Sequence, residues 1–375
     1  MRIGIDARTI NKYPGVGRYA LNLVKHLAKI DNENEYVIFK NNLCSEKLTD
    51  KSNFKEIVVD EPLLSFKTLF SFHKTVMKEK IDFLHCTYHL SPLSNDIKKI
   101  VTVHDLMDIV FEGHFSHQPF LIEQGLKYYF KFATPRTILG ADELIVMSEY
   151  TKMEILKYFP IVKSDKITVI PLGAEEYFKP ANEEDKNKLR IKYNLPNEFL
   201  LFVGNTKKYK NVDMLIDAYG EYCKNVFGEP FALIIAGMKN VAGDKLNKII
   251  AEMGLENKIK FIGTIDENEL PILYSAAKWF IFPSLYEGFG FPPLEAMSCG
   301  TPVICSNAAS LPEVVGDAGI YFDPRKPEEL TKILLDSIND ENLRSDLIRK
   351  ALSQAKKFSC EKTAKETLEV YKNIL

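Results

Sequence analysis

The chain has 375 residues, 46% hydrophobic and 27% charged, with a formal net charge of -2. These are ordinary values for a soluble globular protein of about two to three domains, at roughly 150 residues each, and the charge balance gives no reason to expect nucleic acid as a partner. Six scattered cysteines without a CxxC pair argue against a disulfide framework or a zinc site and for a reducing compartment. The N-terminal MRIGIDAR lacks the apolar core of a signal peptide, and no run approaches the roughly 20 apolar residues of a membrane span, so a cytoplasmic location is expected.

Apolar strand-like runs come first at 2–6 (RIGID), 36–40, 55–60, 83–86, 99–105, 143–148 and 167–171. Most are continuously apolar rather than alternating, which suits strands covered on both faces of a parallel sheet. Helical patterns such as GRYALNLVKHLAKI lie between them. Residues 172–196 are charge-rich and hold Pro180 and Pro196, which marks a domain boundary. The rhythm then restarts with runs at 199–204, 232–237, 259–263, 278–284, 302–306 and 319–323, and helices expected at 211–227 and 240–253. The expected class is α/β, with two doubly wound Rossmann-like domains facing a central cleft. In open parallel sheets, ligands bind beyond the carboxyl ends of the strands.

The loops at those ends carry the chemistry. GVGRYA, Gly15 to Ala20, fits GxGxxA, but eight residues separate it from Asp6 and Lys40 stands where a dinucleotide site needs an acid. What survives is a glycine turn opening a helix, either a plain turn or a phosphate contact. His104 in TVHDL leaves an apolar strand, a core residue or a catalytic one. His85 and His89 end the preceding strand and could line the same wall. GNTKKYKN, residues 204–211, puts Lys207, Lys208 and Lys210 in one strand-to-helix loop, a solvated surface or an anion site strengthened by the helix N-terminus. EGFGFPPLE, residues 287–295, brackets a glycine-rich turn with Glu287 and Glu295. That is either a helix entry or a pair of carboxylates for sugar hydroxyls.

The block from 283 to 324, with its E-x7-E and GTPV, resembles the family 4 retaining glycosyltransferases of the GT-B fold. GVGRYA, TVHDL, SEYTKMEI, PLGAEE, VGNTKKYKN, IIAG and FIGTIDENELPILYSAA occur in the family's order, so the likeness covers almost the whole chain. It implies a nucleotide-sugar donor, with mannose from GDP-mannose expected, and a glycan or lipid-linked acceptor in surface polysaccharide or glycoconjugate assembly. It assigns Glu295 to the ribose and Glu287 to the hexose. The backbone of Gly288, Phe289, Gly290 and Phe291 is assigned to hexose and diphosphate, and Lys210 to the leaving diphosphate. Asn205 stands where the family often has a second basic residue, so Lys207 takes that part. Gly15 and Gly17 would meet the diphosphate, Gly263 and Thr264 the base, and His104 the hexose. His104, Lys210 and Glu287 form the expected catalytic set.

The implied domains are 1–172, for the acceptor, and 173–359, for the nucleotide sugar, with a last helix at about 360–375 crossing back onto the first. No D-x-D triplet occurs, so no metal and no separate cofactor are expected. The aromatic and basic segments 61–80 and 107–139 are either ordinary helices on the core or a peripheral contact with a membrane surface carrying the acceptor. Rival activities are an epimerase or phosphorylase on the same architecture and a non-catalytic nucleotide-sugar-binding protein.

Overall fold

The computed structural model describes residues 1–111, 114–115, 118–237 and 244–374. It divides into two units, Met1–Gly173 with Phe358–Leu375, and Ala174–Lys357. The charged stretch at the sequence boundary is itself structured, because residues 183–193 form a helix of the second unit. Asn182 caps that helix, its Oδ1 accepting from Asp185 N at 2.8 Å, and Asn194 ends it in the left-handed conformation, so charge density there marks an exposed helix rather than a linker.

In the first unit the order is β1 (Arg2–Asp6), α1 (Pro14–Ile30), β2 (Glu35–Lys40), β3 (Phe54–Val58), α2 (Phe66–Phe70) and α3 (Phe72–Met77). There follow β4 (Phe83–Cys86), β5 (Lys98–Val103), α4 (Met107–Val110), α5 (Phe120–Gly140), β6 (Glu143–Val146), α6 (Glu149–Tyr158) and β7 (Ile167–Val169). The strands form one seven-stranded sheet ordered β3-β2-β1-β4-β5-β6-β7, with every observed pairing parallel. Ile3, Ile5, Leu84, Ile100, Val101 and Val103 are wholly buried, as expected of strands covered on both faces. The segments 61–80 and 107–139 are largely helical, supplying α2 to α5.

The second unit opens with α7 (Glu183–Tyr193), β8 (Phe199–Val203), α8 (Val212–Asn225), β9 (Ala232–Ala236), α9 (Asp244–Glu252) and β10 (Ile259–Phe261). It continues with α10 (Leu270–Ala276), β11 (Trp279–Phe282), α11 (Phe291–Ser298), β12 (Val303–Ser306), α12 (Leu311–Val315), β13 (Gly319–Phe322), α13 (Pro327–Asp336) and α14 (Glu341–Ala355). Residues 240–243 of the helix expected at 240–253 lie outside the described residues. The six-stranded sheet runs β10-β9-β8-β11-β12-β13, again with parallel pairings. In both sheets the first strand in sequence sits centrally and the order reverses beside it, between β1 and β4 and between β8 and β11. That is the doubly wound topology, and its switch point is where such sheets bind ligands.

The last helix, α15 (Cys360–Asn373), belongs to the first unit. Ser359 caps it, with Oγ accepting from Lys362 N at 3.1 Å, and Thr363 Oγ1 ties it to Pro171 O at 2.8 Å. Its buried face, Thr363, Ala364, Thr367, Val370 and Tyr371, packs on α1. No described helix is long and apolar enough to cross a membrane.

Candidate active site

At the switch point of the second sheet, the loop after β8 meets the loop after β11. Lys210 Nζ lies 2.7 Å from Glu287 Oε1, with side-chain exposures of 9% and 14%. The ammonium also sits 4.7 Å from the centre of the Phe282 ring. A lysine stem packed on aromatics, with its charge held at the mouth of a strand end, is a fixed cation in a medium less screening than water. The neighbouring Lys208 is exposed and Lys207 is half-buried. Asn205 is exposed, and its Oδ1 accepts from Lys207 N at 3.0 Å.

The turn between the two glutamates is rigidly built. Gly290 has φ +121°, a conformation that favours glycine, and an added Cβ would also lie 2.9 Å from Leu311 Cδ2, which would have to move aside. Ser310 Oγ lies 2.8 Å from Glu287 O and 2.7 Å from Phe289 O, which pins two carbonyls of the turn. α11 then starts at Phe291 with prolines in its first turn, the favoured place for them. Glu295 follows one turn later and is almost fully buried, its Oε2 accepting from Tyr274 of α10 at 2.9 Å. Tyr274 aims the carboxylate, which makes Glu295 more enclosed than a simple rim residue.

Further along the same edge, Gly237 N donates to Gly263 O at 2.8 Å and Gly204 N to Ala236 O at 3.0 Å. The ends of β8, β9 and β10 are thus backbone-lined, with Gly263 at φ +74° and Thr264 exposed.

In the first unit, Gly15 and Gly17 lie inside the first turn of α1. Gly15 is exposed with open space around it, whereas a Cβ at Gly17 would lie 2.6 Å from Thr9 O. Gly17 is therefore explained by the close packing of α1, and Gly15 is the position where the backbone stays open. His104 follows β5; its Nε2–H donates to Thr87 O at 2.9 Å, and its ring meets Tyr19 edge-on at 5.0 Å. Burial holds its pKa down at about 4, against the opposing hydrogen bond to Thr87. The ring is neutral near pH 7, with Nδ1 left as an acceptor.

His85 and His89 do not line a common wall. His85 is fully buried between Tyr371 and Thr102. His89 Nε2 lies 2.7 Å from Asp108 Oδ2, and His114 Nε2 is 3.1 Å from the other oxygen. Burial alone would raise the Asp108 pKa, but hydrogen bonds from His114 and His89 hold it below the usual carboxylate range. The i, i+4 spacing of these two histidines leads to separate partners because their segment leaves a strand and is not helical.

A model of the family described as "Glycosyltransferase Family 4" matches residues 13–176, and one described as "Glycosyl transferases group 1" matches residues 182–354. The O-antigen chain mannosyltransferase B of Escherichia coli is 29% identical over 378 residues, covering 96% of this chain and 97% of that protein. The chain is a family 4 glycosyltransferase. The serotype-specific mannosyltransferase WbdA of Escherichia coli is 30% identical over 74% of this glycosyltransferase, which spans 34% of that longer protein. Among solved structures, the sucrose-phosphate synthase of Thermosynechococcus elongatus superposes with a TM-score of 0.77 at 20% identity, covering 100% of this chain and 99% of that one. HepE of Anabaena, solved in complex with UDP and glucose, gives 0.76 at 18% identity, covering 99% of each chain. These likenesses place the glycosyltransferase in the GT-B fold.

Sequence reasoning missed three residues that build the half-site. Asn211 takes φ +58°, and its Nδ2 reaches Pro324 O at 2.8 Å and Pro283 O at 3.2 Å, stitching the ends of β11 and β13 to the lysine loop. An asparagine before a helix reads as an N-cap, yet no capping bond forms here. Ser310 and Tyr274 act over separations of 21 and more residues, and no local pattern announces them.

Proposed function

We propose that this glycosyltransferase moves mannose from GDP-mannose to a glycan or lipid-linked acceptor in polysaccharide assembly, with retention of anomeric configuration and without a divalent metal. The observation that carries the reading is the Lys210–Glu287 pair at the switch point of the second sheet. It supplies a fixed cation where a nucleoside diphosphate would leave. The names of the mannosyltransferase relatives support the sugar and the class of product, and the UDP complex of a structural neighbour supports a nucleotide-sugar donor.

In this reading the bond from the anomeric carbon to the diphosphate breaks, an acceptor hydroxyl oxygen bonds to that carbon, and the hydroxyl proton passes to the departing diphosphate. The protein's share is positioning and electrostatics. Lys210 exchanges part of its bond to Glu287 for the diphosphate and stabilises the charge that grows there. Glu287 is then released toward the hexose. Glu295 accepts from ribose hydroxyls, its orientation set by Tyr274, while the turn from Gly288 to Phe291 offers backbone to hexose and diphosphate. Lys207 is the second basic group, Asn205 flanks it, and Gly263 and Thr264 border the base. In the first unit Gly15, supported by Gly17, offers the open N-terminus of α1 to phosphate. Neutral His104 accepts a sugar hydroxyl through Nδ1.

A thermal-shift screen of nucleotide sugars tests the donor, since a ligand that binds only the folded chain raises Tm. GDP-mannose is expected to give the largest shift, and NMR of the product to show the donor's anomeric configuration kept. Bound donor without turnover across a broad acceptor panel would favour a binding protein instead, and loss of turnover in chelator, restored by magnesium or manganese, would count against metal independence.

The membrane contact belongs to the same proposal. α2 and α5 expose Phe66, Phe70, Phe120, Leu121 and Tyr128 beside Lys67, Lys127 and Lys131. Phe66 packs on Tyr129 at 5.5 Å, which joins the two helices into one face. Flotation with anionic vesicles at low salt is expected to carry the protein upward, and no binding would remove the idea.

A further inference from the structure

Four polar side chains, buried in the core of the first unit, form one hydrogen-bonded chain. Tyr371 Oη on α15 lies 2.6 Å from His85 Nδ1 on β4. His85 Nε2 lies 2.8 Å from Thr102 Oγ1 on β5, and Thr102 Oγ1 lies 3.1 Å from Tyr19 Oη on α1. The Tyr19 ring is the one set edge-on against His104. Tyr371, His85 and Thr102 are fully buried and Tyr19 is nearly so.

We propose that Tyr371, His85, Thr102 and Tyr19 are positioning residues that hold His104 in place, so that docking of α15 is a condition of turnover. The proposal rests on the reading of His104 given above. Its physical basis is directionality. Apolar side chains of similar volume would fill the same space, but they would leave the rings free to choose among packings. A neutral imidazole donates through one nitrogen and accepts through the other. Burial lowers the His85 pKa to about 3, so the ring stays neutral in the working range.

Two proton arrangements are then open. In one, Tyr371 O–H donates to Nδ1, Nε2–H donates to Thr102 Oγ1, and Thr102 O–H donates to Tyr19 Oη. In the other every bond is reversed. Either way each interior group donates once and accepts once, and all four rotamers are set together. Removing the Tyr371 hydroxyl leaves His85 Nδ1 without this partner and takes α15 out of the chain, so the ring, and with it Thr102 and Tyr19, is no longer held from that side. The chain connects groups 286, 17 and 83 residues apart, which ties the end of the sequence to its beginning.

The test uses the full chain with Tyr371→Phe, Thr102→Val and Tyr19→Phe, each checked for an intact fold by circular dichroism and melting. Imidazole nitrogen NMR, with the histidines assigned by substitution, reads His104 directly. Its resonances are expected to shift or broaden in all three variants. Turnover of GDP-mannose is expected to fall about tenfold, within the range that misplacement of a positioned group costs, with donor Kd changed by less than about twofold. In a His104→Ala background the same substitutions are expected to add less than about twofold, because they act through the ring already removed. Unchanged His104 resonances in Tyr371→Phe and Tyr19→Phe, or an equal loss of kcat with and without His104, would overturn the relay. Should Tyr371→Phe fail to fold, Tyr19→Phe at the opposite end decides the same point. Full activity in His104→Ala alone would instead overturn the reading of His104, and the NMR would still judge the coupling.

Discussion

Each unit of this glycosyltransferase places an ion pair beside the switch point of its sheet, and the two pairs differ in kind. In the first unit Arg8 Nε and Nη2 hold both oxygens of Asp6, at 2.8 and 2.7 Å. Arg8 Nη1 reaches Glu61 O and Thr68 Oγ1 at 2.8 and 3.0 Å, and the guanidinium stacks 3.7 Å from the Phe72 ring. Four of its five N–H donors are engaged by these bonds, and both side chains are almost fully buried. In the second unit Lys210 spends one of three donors on Glu287 among the described residues, at the edge of solvent. A buried pair with nearly all its donors engaged is architecture. A cation with donors to spare, at a strand end, can exchange partners with a ligand.

The largest expected effect breaks the closed pair. Arg8→Ala leaves Asp6 buried without its cation, a change that costs about 3–5 kcal/mol. Arg8 also joins β1 to the segment around α2 and α3, so the loss should be felt in the first unit. Trp279 is the sole tryptophan, fully buried in the second unit, and its fluorescence separates the two. Urea melts are expected to show an earlier transition by circular dichroism and an unchanged one by Trp279. Equal shifts in both signals would mean that the units unfold as one.

Next comes the open pair. Lys210→Ala should lower kcat by roughly 100- to 1,000-fold, as removal of one preorganised charge-stabilising donor does, while donor affinity falls less because the diphosphate charge grows as its bond breaks. Near-normal turnover in steady-state assays would return the lysine loop to solvated surface and undercut the mechanism.

The difference between the pairs was only half legible in the sequence. Lys210, Glu287 and Glu295 stand in local motifs at strand ends, and near-continuous apolar runs marked the strands, because covering both faces of a parallel sheet leaves a signature within a few residues. Arg8 carried no such mark, since, apart from Asp6, its partners Glu61, Thr68 and Phe72 come from a distant segment. Helices were one of the two readings of 107–139, but the bounds of α5 were not legible, for a different reason. It contains Pro135 and is apolar around much of its circumference, so no single helical stripe stands out. Tyr371 and His85 are likewise invisible as a pair, because 286 residues separate them.

Glu295 tests whether a nearly buried carboxylate still belongs to the open half-site. Glu295→Ala should weaken donor binding by about 1.5–3 kcal/mol, the worth of a hydrogen bond to a charged group, with kcat changed less, since ribose contacts are similar in ground and transition states. Calorimetry showing unchanged donor affinity in a folded variant would leave Glu295 as the partner of Tyr274 alone.

Acid sharpens the contrast between the units. All seven histidines fall at or before residue 117, within the first unit. Burial lowers the His85 pKa from its ordinary 6.5 to about 3. Between those values the unfolded chain binds a proton that the folded chain excludes, so His85 favours folding fully above pH 6.5 and progressively less as pH falls toward 3. By pH 5 this amounts to about 2 kcal/mol. Circular dichroism is expected to weaken before Trp279 fluorescence changes on titration from pH 7 to 5 in mild urea, and the reverse order would break the contrast.

The smallest effect concerns the two lysines beside Lys210. Lys208 is exposed on the first residue of a short 3-10 turn, and Lys207, which precedes it, is half-buried. An exposed ammonium in water interacts weakly with a charge several ångströms away and is screened by salt, so Lys208→Ala should change kcat and donor Kd by less than about twofold, the usual scale for surface substitutions. Lys207→Ala should resemble Lys210→Ala in direction if its ammonium shares the diphosphate. The double variant at 207 and 210 should then fall short of the product of the two single losses, because both cations act on one leaving group. Three variants assayed at two salt concentrations separate these cases. A large loss in Lys208→Ala, or full multiplicativity at 207 and 210, would mean that the loop acts through its summed field rather than through one fixed cation, and the contrast with Arg8 would rest on charge density instead of exchangeable donors.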